Sequence, residues 1–278
     1  FSDIGDQHGE GKTLGNLGNI HYSLGETQKA IDYFERALKI MREIGDKLAE
    51  GALVGSLGNA YSASGEPRKA IEYFQQALTF ARDAGDRNNE GVWLINLGNA
   101  YNLLAEPRKA IEYSEQALVV VREIGNRRGE STALANLGFA FDILGKTRKA
   151  VEYYEQQLVI AREVGDRLDE GKALANLGDL YSRTGRKKEA FDAIIKSQQI
   201  FEELKVPVPL NLIPALIRLK IPGCLLAVGS VISFVFRPIL TKLIFWGIQE
   251  GLKQAMKKRG KNPLSDLNLS GIKIKEKG

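Results

Sequence analysis

The chain is nearly free of cysteine: Cys224 stands alone among 278 residues, which excludes an internal disulfide and a cysteine-based zinc site. Histidine is almost as scarce. His8 and His21 are the two present, and His21 falls in a periodic apolar slot that Tyr61 and Tyr101 fill elsewhere. A packed ring is therefore expected there, and neither a general base nor a metal ligand is assigned. Proline avoids the first 204 residues apart from Pro67 and Pro107, then returns as Pro207, Pro209, Pro214, Pro222, Pro238 and Pro263. A charge excess of one sign is also missing from the long first part. Residues 1–204 carry 26 Lys and Arg against 31 Asp and Glu, whereas residues 205–278 carry 13 against 3. The net charge of +5 thus hides a mildly acidic array and a strongly basic tail, with a domain boundary expected near residue 205.

What the chain does have is a repeat. Leu17-Gly18-Asn19, Leu57-Gly58-Asn59 and Leu97-Gly98-Asn99 recur every 40 residues, followed by Leu137-Gly138-Phe139 and Leu177-Gly178-Asp179. A period of that length marks a solenoid, in which each unit buries its apolar face only by stacking on its neighbours. Within a period, Leu14, Leu17, Gly18 and His21 follow the i, i+3, i+4, i+7 spacing of one helical face. Gly25, Gly65, Gly145 and Gly185 stand where this helix should end in a left-handed residue, with Ala105 the departure. Pro67 and Pro107 suit the first turn of a second helix, which continues through Ala30, Ile31, Phe34, Ala37, Leu38 and Met41 and closes at Gly45-Asp46 and its copies.

These residues resemble the tetratricopeptide repeat family, whose helix pair places small, aromatic and small residues where Ala70, Phe74 and Ala77 stand. The 40-residue period is similar to that of the Leu-Gly-Asn-rich spindle-orientation adaptors rather than the usual 34. The resemblance implies an all-α, right-handed α-solenoid of helix-turn-helix repeats over residues 1–204. The units run at about 8–46, 47–86, 87–126, 127–166 and 167–204. Position 1 is Phe, and Ile4-Gly5-Asp6 matches Ile44-Gly45-Asp46, so residues 1–7 are expected to be the tail of an upstream repeat. Ser114 in place of the aromatic, Gln157 in place of the second alanine, and Ile194 with Ser197 in the fifth unit are expected to loosen the later interfaces.

At about 100° per residue, Asn16 and Asn19 point away from the core stripe and toward the groove. Down the array the same stripe runs Asn16, Asn19, Asn59, Asn96, Asn99, Asn136 and Asn176. An amide both donates and accepts, as the backbone of an extended peptide requires of its contacts. The resemblance implies the same, since in those adaptors asparagines at these places grip an extended partner segment. Helix bridging or loop capping by individual asparagines is the alternative reading. Val92, Leu103, Phe139 and Ile143 would offer apolar contact in mid-groove unless a neighbouring repeat covers them, and Lys12, Lys172 and Arg183 at the ends imply an acidic end on the partner. The clamp that holds chaperone C-terminal carboxylates is not supported, because Gly15, Gly55, Val92 and Asn96 fill the slots of its basic residues.

No catalytic residue, cofactor or metal is expected. Gly9-Glu10-Gly11-Lys12-Thr13 looks like the end of a phosphate-binding loop, but its first glycine would fall at Asp6 and no strand precedes it. Glu10, Glu50, Glu90, Glu130 and Glu170 recur once per repeat as helix-entry charges. An enzyme would need a further domain upstream of Phe1.

The tail, residues 205–278, reads as apolar and then basic helix. Residues 221–236 hold no charge yet are short for a membrane span, which needs about 20. With Lys253, Lys257, Lys258, Arg259 and Lys261 beyond them, contact of residues 218–261 with an anionic membrane surface and a cap on the last repeat both remain open. The basic cluster lacks interleaved aromatics, which argues against nucleic acid. The sequence thus points to a cytoplasmic, non-enzymatic scaffold for an extended peptide, the other reading being a membrane-associated assembly or targeting factor.

Overall fold

The structure, a computed structural model, describes residues 6–207. These form ten α-helices: α1 (Gln7–Ser23), α2 (Thr27–Ile44), α3 (Lys47–Ala63), α4 (Pro67–Asp83), α5 (Arg87–Leu103), α6 (Pro107–Glu123), α7 (Arg127–Ile143), α8 (Thr147–Glu163), α9 (Arg167–Arg183) and α10 (Lys187–Glu203). No strand occurs among the described residues. Each odd helix packs on the even helix that follows it, and each even helix on the next odd one, which makes an α-solenoid of helix-turn-helix units.

Local chemistry sets the helix ends. Asp6, Asp46, Asp86, Asn126 and Asp166 cap the odd helices, each side-chain oxygen accepting from the backbone N–H three residues on at 2.8 to 3.0 Å. At the other end Gly25, Gly65, Gly145 and Gly185 turn left-handed, as does Ala105 at φ 54°. The next residue's N–H then returns to a helix carbonyl, as Glu66 does to Tyr61 and Glu106 to Tyr101, both at 2.9 Å. Pro67 and Pro107 occupy the first turns of α4 and α6, where no amide hydrogen is needed. Residues 9–13 lie within α1, so the phosphate-loop look-alike is plain helix.

The core runs between the two helix layers. Leu57, Leu97, Leu137 and Leu177 from the odd helices and Phe34, Phe74 and Tyr154 from the even ones are all buried. A second row of rings stacks beside it: Tyr61 on Tyr73, Tyr101 on Tyr113 and Phe141 on Tyr153, each with centroids 5.3 Å apart. His21 holds the same place on Tyr33, at 5.1 Å, with Nδ1 2.6 Å from Glu26. Among the departures, buried Ser197 donates to the Gly171 carbonyl at 2.8 Å. Ser114 Oγ and Gln157 Oε1 are buried with no hydrogen-bond partner.

The recurring glutamates do more than favour a helix dipole. Glu50, Glu90, Glu130 and Glu170 are buried, and each accepts from an arginine of the preceding even helix: Arg42, Arg82, Arg122 and Arg162, at 2.7 to 2.9 Å. Lys47, Arg87, Arg127 or Arg167 completes each pair, and the three arginines reach onward to Glu123, Glu163 and Glu203 on the following even helix. Burial pushes the Glu50, Glu90 and Glu170 carboxyls up, but the hydrogen bonds from their cationic partners outweigh it and hold all three below the usual carboxylate range.

Candidate binding groove

The odd helices form one face, and on each of them the positions four, seven and eleven residues apart present a single stripe. On α5 these are Val92, Asn96, Asn99 and Leu103, and on α7 Thr132, Phe139 and Ile143, with Asn136 in the same register but buried. Asn16 and Asn19 are exposed on α1, Asn59 is half-buried on α3 and Asn176 half-buried on α9.

Three of the expected asparagines meet. The Asn96 amide donates to Asn59 Oδ1 at 3.2 Å. Asn59, Asn96 and Asn99 then line a cavity of about 230 Å³ together with Tyr22, Ser62, Ala63 and Phe74. None of these seven side chains is charged. The Asn59–Asn96 bond leaves the two Asn59 amide hydrogens and the Asn96 oxygen available. Tyr22 and Ser62 escape a search for an asparagine stripe, although each follows an expected position, Asn19 or Asn59, by three residues and so shares its helical face.

Asn136 does not face the groove. It is buried, its amide donates to the Ile95 carbonyl at 3.1 Å, and Asn102 donates to the Asn136 carbonyl at 3.0 Å. The cause lies in the third repeat. Ser114 lacks the ring that Phe34, Phe74 and Tyr154 carry, and the polar side chains of α5 and α7 fill the space, drawing the two helices together. Val92, Leu103, Phe139 and Ile143 are 38, 60, 46 and 41% exposed, so no neighbouring repeat covers them.

The cationic ends also differ from expectation. Arg183 lies 2.5 Å from Asp142 and 3.0 Å from Asp179, and Lys172 pairs with Asp169 at 3.1 Å. These five side chains sum to one negative charge, so the α9 end offers no free positive site for an acidic residue. Lys12 at the opposite end is exposed on α1.

Among the described residues no helix is long and apolar enough to cross a membrane. Residues 221–236 and the cluster Lys253, Lys257, Lys258, Arg259 and Lys261 lie outside the described residues, as do residues 1–5 of the expected upstream repeat, whereas Asp6 caps α1 and Gln7 begins it.

A family model described as tetratricopeptide repeat matches residues 9–83, 89–158 and 131–203. No curated protein matches the sequence. Among solved structures, aspartyl phosphate phosphatase F from Bacillus subtilis is similar at 13% identity and a TM-score of 0.70, covering 97% of this chain and 73% of that one. A Rap protein complexed with competence and sporulation factor matches at 17% identity and a TM-score of 0.63, covering 89% and 69%. A kinesin light chain from Podospora anserina, described as having nearly identical TPR-like repeats, matches at 18% identity and 0.57, covering 70% and 96%. At these identities the likeness is one of fold.

Proposed function

Because the chain belongs to the tetratricopeptide repeat family, we propose that residues 1–204 are a non-enzymatic interaction scaffold that binds an extended peptide segment of a partner protein along the face of the odd helices. The observation that carries this reading is the cavity where Asn59, Asn96 and Asn99 converge with unused hydrogen-bonding groups. A peptide backbone needs such donors and acceptors once it leaves water. The exposed Leu103, Phe139 and Ile143 beside it supply apolar area for a partner to bury. Asn16, Asn19 and Asn176 would extend the contact outward, while Asn136 serves the fold. A Rap protein of similar fold, solved in complex with a factor, supports the use of such a solenoid to hold a ligand.

The test is selection of a randomised, phage-displayed peptide library on the full chain and on Asn59→Ala/Asn96→Ala/Asn99→Ala. Peptides should be recovered on the native protein and lost on the triple variant, whose helicity and melting temperature stay nearly unchanged. Equal recovery on both proteins would remove the groove from the function.

A further inference from the structure

Resting on that reading, we infer that the cavity selects an uncharged carboxamide side chain, Asn or Gln, of the bound segment, and that the same segment carries a large apolar residue nearby. Three observations carry this. First, a space of about 230 Å³ is too small for a helix or hairpin but admits one side chain. Second, its lining is neutral throughout, so a carboxylate or ammonium seated there would lose part of its hydration without gaining a counter-ion. Third, the free polar groups are of both kinds. Asn59 keeps two N–H donors, Asn96 keeps an oxygen, and Tyr22, Ser62 and Asn99 have no side-chain hydrogen bond among the described residues. A carboxamide, with two donors and one acceptor oxygen, answers that mixture more completely than a hydroxyl, and Phe74 and Ala63 give its methylenes an apolar wall.

The spacing follows from the fold. The cavity sits between α3 and α5; Leu103 stands one turn beyond Asn99 on α5, and Phe139 and Ile143 are on α7, one odd helix further along. Neighbouring packed helices are roughly 8–10 Å apart and an extended chain advances about 3.3 Å per residue, so the apolar residue stands about two to four positions from the carboxamide.

The experiment extends the peptide selection to its consensus. On the native chain, recovered peptides should share Asn or Gln with a large apolar residue at that spacing. By fluorescence anisotropy, changing the Asn or Gln of a recovered peptide to Asp or Glu should weaken binding at least about tenfold. Asn99→Asp, which puts a carboxylate at the cavity wall, should shift the selected residue to Lys or Arg. Peptides that depend on Asn59, Asn96 and Asn99 but carry a charged or aromatic residue at the selected position would overturn this specificity and leave the scaffold reading standing. No recovered peptide, or recovery indifferent to the triple variant, would overturn both.

Discussion

Ala105 holds φ 54° at a helix end where four other repeats place glycine at φ 68 to 80°. A Cβ in the left-handed region costs roughly 1–2 kcal/mol, and glycine gives back about 0.4–1 kcal/mol through its freer unfolded state. Ala105→Gly should therefore stabilise the chain by about 0.5 kcal/mol and raise the melting temperature by about 1–2 °C in a circular-dichroism melt. A fall in melting temperature would show that the turn is relaxed around alanine. The helix-facing glycines make a sharper comparison. A Cβ on Gly58 would sit 2.5 Å from the bulky, buried Phe74 ring, whereas one on Gly98 would crowd Ser114 Oγ, a small rotatable group, at 2.3 Å and touch Ala110 O and Asn136 Nδ2 at an ordinary 3.5 Å. Alanine gains about 1 kcal/mol of helix propensity at either site, against an overpacking cost of about 1–3 kcal/mol. Urea denaturation should find Gly58→Ala destabilised and Gly98→Ala close to native. Equal losses would mean that Ser114 is as rigid a neighbour as the ring.

At the scale of helices, boundaries were legible because their signals are local: a closing Gly-Asp or Gly-Asn pair, a left-handed glycine and a proline in the first turn each lie within a few residues of the end they set. The links between helices were not. Arg82 and Glu90 sit on different helices, and Arg87 reaches Glu123 across 36 positions, so one charge of each sign per repeat says nothing of which pairs form. Asn136 misled for a related reason, since whether it faces the groove or the core depends on the missing ring at Ser114, 22 residues earlier on the adjacent helix α6. The buried glutamates carry a pH prediction. The folded carboxyls of Glu50, Glu90 and Glu170 titrate below the ordinary value of 4.5, so the stability these three add is full above about pH 4.5 and is lost as the pH falls through the lower folded values. Melting temperature should drop over that acid range, and Glu90→Gln, at a neutral-pH cost of about 1 kcal/mol, should flatten part of the drop. Replacing Arg82 and Arg87 together with Ala should lower the melting temperature more than Glu90→Gln does, because it strands a buried carboxylate while the amide variant leaves its arginines in water. The reverse order would show that the arginines contribute little to holding Glu90.

Across residues 6–207 most of the buried apolar side chains fall into two groups. One runs from Leu14 to Ala140, the other from Leu137 to Ile200, and they meet on α7. The meeting place is polar. Asn102, Asn136 and Ser114 are buried there, and the Asn102 oxygen and the Ser114 hydroxyl lack partners, as does Gln157 Oε1 one repeat on. In a repeat array each interface adds its own coupling, so the weakest one decides where cooperativity breaks. The second group is the smaller, and its last helix leaves Phe191 44% exposed where Ile31 and Ile71 in the same slot are buried. Native-state hydrogen exchange should therefore resolve two units. Amides of α8, α9 and α10 should exchange through a common opening of lower free energy than those of α2 to α5, with the step in protection falling within α7. Ser114→Ala, which deletes an unpartnered buried hydroxyl, should raise protection on both sides of that step. A single protection level from α2 to α9 would mean that the salt-bridged glutamates couple the repeats strongly enough to override the polar seam, and that the described array opens as one body.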